Sequence, residues 1–384
     1  MCVLPHSRER LPCGTEKIGL SHRAGNAHNL FIRETATKKG SRAKPARRVP
    51  RTTPLSIPAG TDERLGRIVR LLMDHAMVVV SGTKIADEIG TSRSEVWRLI
   101  QQLRGLGVDV AGHPATGYQL RAVPDLLLPD IVAPLIKGTI FAKQLSHYYK
   151  IGSTNTEAMQ AAADGAPEGS VFLAEEQLAG RGRGANTWHS ERSTGIYCSA
   201  VLRPVMPPSD ALVLSLAAGL AVQSGVEAIM PGLHPDLKWP NDLLLNRRKF
   251  CGILTEMNSE ATRVRHLVVG IGINVNQTKF PADLREIATS LKSETGTEWS
   301  RVELCSALLK SLDREYRALA ENAAARESIV HRFEENSSSA RGCKVRVDEG
   351  GIEGLTEGLD ARGFLQVRTA TGLRTVLSGT VRTI

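Results

Sequence analysis

The stretch SGTKIADEIGTSRSEVWRLIQQLRGLGVDV, residues 81–110, leaves the backbone few choices. Ile85, Ala86 and Ile89 recur at helical spacing and make one face of a short helix. Gly90 supplies the left-handed conformation that ends it. Two residues on, Ser92 and Glu95 form an S-x-x-E capping box that starts a second helix, with Val96, Leu99, Ile100 and Leu103 on its apolar face. A helix, a tight turn and a capped helix make a helix-turn-helix signature. Upstream, Thr61 caps a helix whose first turn is acidic and whose apolar face is Leu65, Ile68, Val69 and Leu72. Downstream, VDVAGHPATGYQL reads as two strands around a Gly/Pro turn, the wing of a winged domain over residues 61–123. With the second helix in a major groove, Ser92, Arg93, Ser94 and Arg98 face phosphates and base edges. A helical module for protein contact is the rival reading.

Charge bears on that rivalry. Residues 1–60 carry 12 Lys/Arg against 3 Asp/Glu, so the whole net charge of +9 lies there and residues 61–384 balance to zero. The segment has Pro, Ser and Thr in plenty and no apolar period, which reads as a disordered basic extension. It fits a nucleic-acid arm, an Arg-rich transit peptide, or sequence upstream of the true translation start. No apolar h-region follows the N-terminus, so no secretory signal is expected. ALVLSLAAGLAV (211–222) reads as a buried helix rather than a membrane span. Six Cys without a CxxC or zinc spacing point to reduced thiols in a cytoplasmic protein with no membrane partner.

RAVPDLLLPD (121–130), with its two Pro, reads as a linker into a second domain spanning 124–338. There SVFLAEEQ and GIYCSAVLRP read as strands. DLLLN, KFCGILTEM and RVRHLVVGIGINVN read as an antiparallel meander, and residues 301–334 as helical. Short strands separated by Gly-rich turns fill 339–384. The fold class expected is α+β: a winged helix-turn-helix, a central mixed-sheet α/β domain and a small SH3-like β-barrel.

Four stretches of the central domain place unusual polar residues at strand ends. GSTN (152–155) offers hydroxyls and an amide, although S-T-N is also an ordinary helix cap. AGRGRGANTW (179–188) combines close backbone approach at Gly180, Gly182 and Gly184 with the charge of Arg181 and Arg183, in a loop expected to be loose. KWPND (238–242) sets a cation, a ring, a rigid turn and a carboxylate together, and a turn later Lys249 can bring its ammonium to the same end of a hairpin as Lys238. In GIGINVN (270–276) two glycines let something flat lie on the strand, and Asn274 can read an amide or purine edge. No P-loop, Rossmann fingerprint or Ser/His/Asp arrangement is present. These residues suit a nucleotide and a second anion. The reaction they imply is attack of a bound carboxylate on a nucleotide phosphate, driven by positioning and charge neutralisation.

GSTN, AEEQLAGRGRGANTW, KWPND, RRKFCGILTE and GIGINVN, in this order, closely resemble the motifs of the biotin–protein ligases. The winged domain in front makes the chain resemble the bifunctional form that also represses biotin operons, and the resemblance covers roughly residues 61–384. It implies that biotin and ATP, with Mg²⁺, give biotinyl-5′-AMP, and that a lysine of a carboxylase's biotin carrier protein then attacks the mixed anhydride. No prosthetic group is implied. Carried onto this chain, Ser153, Thr154, Asn155, Gln177, Gly180, Gly182, Gly270 and Gly272 hold biotin, and Arg181 and Arg183 close over its carboxylate and the phosphate. Lys249 is the main catalytic charge, with Arg183 and Lys238 beside it. Lys238, Asn241 and Asp242 serve the ATP phosphates and Mg²⁺, while Trp188 and Asn274 pack and read the adenine. Operator DNA is the second partner and a homodimer is expected. Two departures stand out: Gly152 replaces the Asp usual before S-T-N, and Gly184–Ala185 replaces an Arg/His–Gly pair. A lipoate or other acyl ligase of the same fold, a biotin-sensing repressor without catalysis, and a ligase with a vestigial N-terminal domain are the rival readings.

Overall fold

The computed structural model describes residues 59–384 except 76, 77, 123, 323 and 349; the basic extension, apart from its last two residues, lies outside the described residues. Helix α1 spans Ala59–Asp74 and so starts two residues before the cap expected at Thr61, which instead lies in its first turn. Helix ends differ by little in free energy, and the sequence pattern marks them only to within a residue or two. Helix α2 (Gly82–Ile89) is capped by Ser81, whose hydroxyl accepts from the Lys84 N–H, and ends at Gly90 with φ +68°. Helix α3 (Arg93–Gly105) is capped by Ser92 Oγ, which accepts from the Glu95 N–H at 3.2 Å. The reciprocal half of the capping box is absent: Glu95 turns outward and takes both Arg98 Nε (2.8 Å) and Nη2 (2.5 Å). Strands β1 (Val110–His113) and β2 (Gly117–Leu120) form the antiparallel wing.

The expected linker is a buried strap. Leu126, Leu127 and Leu128 are 1%, 0% and 4% exposed, and the Leu127 N–H donates to Glu175 Oε1 at 2.9 Å. Three successive leucines carry too much apolar surface to be left in water, and the two prolines suit an extended segment as well as a loose one.

Beyond it come α4 (Pro129–Leu135), β3 (Leu145–Tyr148), α5 (Thr154–Ala163), β4 (Val171–Ala174), β5 (Gly195–Leu202), α6 (Leu212–Ile229), β6 (Asp236–Lys238), β7 (Asp242–Leu245), β8 (Arg248–Ser259) and β9 (Val264–Asn274). The strands make one sheet in the order β3-β4-β5-β9-β8-β7-β6, parallel only between β3 and β4. Period-2 alternation divides it into two faces. Ile196, Cys198, Ala200 and Leu202 of β5 join the main core, whereas Val201 of β5 and Val268 of β9 pack with Ala158 and Ala162 of α5. Core helix α6 lies in the Pro208–Ile229 stretch, long and apolar enough to cross a membrane; here it packs on the sheet and on two later helices. Those follow the short α7 (Leu291–Thr295): α8 (Arg301–Glu321) and α9 (Ala325–Glu335), so the helical stretch expected over 301–334 is broken near Asn322.

Strands β10 (Arg341–Val347), β11 (Ile352–Leu359), β12 (Leu365–Thr369), β13 (Gly372–Val376) and β14 (Val381–Thr383) form an antiparallel sheet in the order β13-β12-β11-β10-β14 around Val345, Val347, Leu365 and Val367. The Trp239 indole N–H donates to Gly363 O at 2.8 Å and ties this sheet to the central domain.

Candidate active site

Helix α5 covers only part of its face of the large sheet. On the rest lie two adjoining cavities, the second the larger. Ser153, Thr154, Asn155, Gln177, Arg181, Ser199, Gly270 and Gly272 line the smaller. Lys238, Asp242, Asn274, Phe280, Leu284, Ile287 and Gly379–Val381 line the larger. Gly182, Arg183, Trp188, Asn241 and Lys249 line both. The structure therefore gathers the residues expected for the ligase site around two adjoining compartments, except Gly180, which lines neither and packs against Trp188 O.

The smaller compartment is bounded by a polar network. Ser153 is the N-cap residue of α5, but its hydroxyl makes no capping bond and faces the cavity. Asn155 Nδ2 donates to Leu254 O (3.2 Å) and Glu256 Oε2 (3.0 Å), so Asn155 Oδ1 is the atom facing Ser199 Oγ at 2.7 Å. Gln177 Oε1 accepts the Thr154 N–H (2.9 Å), and its Nε2 donates to Ser190 Oγ (2.9 Å). Ser199 Oγ also lies 2.8 Å from Thr154 Oγ1, which lies 3.1 Å from Gln177 Oε1. Three oxygen–oxygen contacts share the protons of two hydroxyls. The wall is one donor short and favours a ligand that brings N–H groups.

The glycines of β9 do not lie open. A Cβ on Gly270 would meet Asn155 Oδ1 at 2.0 Å, and one on Gly272 the Trp188 indole at 2.6 Å. The flat groups resting on this strand are the protein's own, and both border the smaller cavity.

Lys249 reaches the site through a β-bulge. Cys251 pairs with Leu243 and Lys249 with Leu244, leaving Phe250 as an extra residue on β8. Without it, Lys249 would share the core face with Cys251 and Ile253. The bulge turns it to the face of Gly252, where its ammonium sits 2.6 Å from Asp242 Oδ1 and 5.5 Å from the centre of the Trp188 ring. Lys238 pairs in register with Asp242 and lines the larger cavity, so the two lysines share that compartment. Asn274 borders the same cavity with both ends of its amide engaged: Nδ2 donates to Thr289 O at 3.0 Å and Oδ1 accepts from Gln277 Nε2 at 3.3 Å.

The loop expected to be loose is a small hairpin. The Trp188 N–H donates to Gly180 O (2.9 Å) and the Gly182 N–H to Asn186 O (2.8 Å), with Gly184 at φ +61° in the tip. Arg183 Nη1 donates to Asn241 Oδ1 and to Gly379 O, both at 3.3 Å. Arg181 instead makes a bidentate pair with Glu256 at 3.1 and 2.7 Å, away from Lys249. At Gly152 a Cβ would meet nothing within 4 Å, so the missing side chain leaves room rather than a gap in the packing. On α3, Arg93 and Ser94 are exposed, Ser92 serves as cap and Arg98 is held by Glu95. Trp97 is 58% exposed on the same helix.

Ser199, Glu256, the apolar residues Phe280, Leu284 and Ile287, and Gly379–Val381 were not singled out from sequence. Ser199 and Glu256 sit on the site face by strand parity, the one signal that points to them. The other two belong to the site only through long-range contacts.

Fold and site together define a ligase-type catalytic domain with a DNA-binding module in front. Residues 148–274 match the biotin/lipoate A/B protein ligase family, residues 64–119 an HTH domain and residues 341–382 the biotin protein ligase C-terminal domain. Over 324 residues, 82% of this chain and 97% of the relative, the chain is 35% identical to the bifunctional ligase/repressor BirA of Bacillus spizizenii. With its counterpart from Escherichia coli it shares 29% identity over 290 residues, 74% of this chain and 87% of the relative. A biotin protein ligase from Aquifex aeolicus in complex with biotin and ATP matches with a TM-score of 0.55 at 30% identity, over 63% of this chain and 100% of that one. The chain belongs to the biotin–protein ligase family, in its bifunctional ligase/repressor form.

Proposed function

We propose that the protein activates biotin as biotinyl-5′-AMP and passes it to a lysine of a carboxylase's biotin carrier protein. The observation that carries this reading is the junction of the two cavities, where Lys249 and Arg183 border both. The donor-poor wall of the smaller cavity suits the two N–H groups of a ureido ring. The larger cavity is lined by apolar Phe280, Leu284 and Ile287 as well as by Lys238, a mixture that suits a base together with phosphates. A carboxylate oxygen at the junction attacks the α-phosphorus, the bond to the β-phosphate oxygen breaks, and pyrophosphate leaves. In the second step the carrier lysine's amine attacks the acyl carbon, loses a proton and releases AMP. Lys249 and Arg183 counter the charge on the phosphorus and acyl oxygens, and Lys238 that on the leaving pyrophosphate.

For Mg²⁺, the chemistry fits one residue. Among the described residues no group of three His, Cys, Asp or Glu is placed to hold a metal, but Mg²⁺ is commonly held by one or two carboxylates together with substrate phosphates. Asp242, which lines the larger cavity beside Lys249, would be that carboxylate, and the ion would neutralise phosphate charge there. The winged domain reads operator DNA through α3, with Arg93 and Ser94 as the open polar groups, and a homodimer would set two such helices on two half-sites. A cytoplasmic location goes with this pair of activities.

Arg183→Ala is expected to keep the fold and to release the adenylate, because the tip of the hairpin loses its hold on Asn241 and Gly379. Labelled biotin, ATP and protein are passed through a desalting column, and free adenylate is counted in the small-molecule fraction. Equal retention by variant and wild type would sink this role.

A further inference from the structure

We propose that Glu256 is a positioning residue of the smaller cavity: it fixes the orientation of the Asn155 amide and latches the Gly180–Trp188 hairpin through Arg181. The inference rests on the biotin-binding reading above.

Glu256 lies on β8, on the site face, and its side chain is 23% exposed. Three donors converge on its carboxylate: Arg181 Nη2 at 2.7 Å, Asn155 Nδ2 at 3.0 Å and Arg181 Nη1 at 3.1 Å. An ionised carboxylate accepts only, as does the Leu254 carbonyl on the same amide nitrogen. A flipped Asn155 would set its oxygen against both of them. In the observed orientation Oδ1 faces Ser199, and the amide plane lies on Gly270 with no room for another atom. Glu256, together with the Leu254 carbonyl, therefore sets which end of the Asn155 amide faces Ser199. The same carboxylate anchors the hairpin at the head of the smaller cavity, while Arg183 anchors it at the junction of the two. A bidentate arginine–carboxylate pair is directional enough to set where a short hairpin sits.

Three variants separate the two roles. Glu256→Gln removes the ion pair and offers Asn155 an amide that can pair with either orientation. Glu256→Leu removes every acceptor. Arg181→Gln unlatches the hairpin and leaves Glu256 with Asn155. Each is measured as the full chain for biotin affinity by calorimetry, for KM of biotin and of ATP in pyrophosphate release, and for tryptic cleavage after Arg183. Biotin KM is expected to rise about 20-fold in Glu256→Leu and several-fold in Glu256→Gln, with ATP KM within about twofold of wild type. Arg181→Gln is expected to speed cleavage after Arg183 several-fold with a smaller change in biotin KM. A wild-type biotin KM in Glu256→Gln, or ATP and biotin KM rising together, overturns the positioning role. Unchanged cleavage in Arg181→Gln overturns the latch. Should Glu256→Leu unfold, the Gln variants decide alone. Wild-type protein that binds no biotin would defeat the ligase reading instead, and calorimetry on the wild type distinguishes that case.

Discussion

Lys249→Ala is expected to cut adenylate formation by about 10²–10³-fold while leaving biotin binding within a few-fold of wild type. The ammonium stands where the two cavities meet, so it acts on charge that develops as the carboxylate bonds to phosphorus. Its partner Asp242, at 2.6 Å, keeps it aimed along the junction. Lys249→Arg is not a mild change: a planar guanidinium is wider than an ammonium and would meet Trp188 and Gly252. Full-length protein, labelled biotin, ATP·Mg and a carrier domain provide the assay, read as pyrophosphate released and label on the carrier. A residual rate within tenfold of wild type would shift the main charge to Arg183 or Lys238. Tight biotin binding by the wild type with neither adenylate nor transfer would leave a ligand-sensing repressor as the better account.

Much of this site was legible because its chemistry is local. S-T-N, the paired loop arginines and KWPND are each a few adjacent residues, and the fold only had to bring them to one face. The helix-turn-helix was legible for the same reason, since caps and apolar faces are short-range features. What stayed hidden depends on register or on distant contacts. The bulge at Phe250 decides which way Lys249 points, and nothing in KFCGILTE distinguishes a bulged strand from a regular one. The hairpin in AGRGRGANTW needs Trp188 O at 2.3 Å from a notional Cβ on Gly180, a closeness that glycines permit but do not announce. The strap reads as linker in sequence because the hydrogen-bond partners of Leu127 and Asp125 lie 48 and 177 residues away.

Arg301→Leu tests the most deeply buried of those distant contacts, and is expected to destabilise the protein by about 3–5 kcal/mol at neutral pH. Arg301 is 1% exposed at the start of α8. Its Nη1 donates to Glu175 Oε2 at 2.7 Å and to Gly195 O at 3.2 Å, and its Nε to Asp125 Oδ2 at 3.1 Å. Removing the guanidinium strands Glu175, which is fully buried, and frees the strap that leads to the DNA-binding domain. Burial alone would raise the Glu175 pKa, but Arg301, His147 and the Leu127 N–H outweigh it and hold the carboxyl at about 2, against 4.5 for an ordinary glutamate. A pKa lowered by folding gives stability that is complete above the unfolded value and fades as pH falls from about 4.5 toward 2. In Arg301→Leu that term reverses, so the gap to wild type should be widest near pH 7 and narrow toward pH 4. Urea unfolding at both pH values reads it directly. Arg301→Leu/Glu175→Gln should regain part of the loss, because no uncompensated charge is left in the core. A single variant within 1 kcal/mol of wild type at pH 7 would mean that water reaches Glu175 and that the strap is held by its leucines alone.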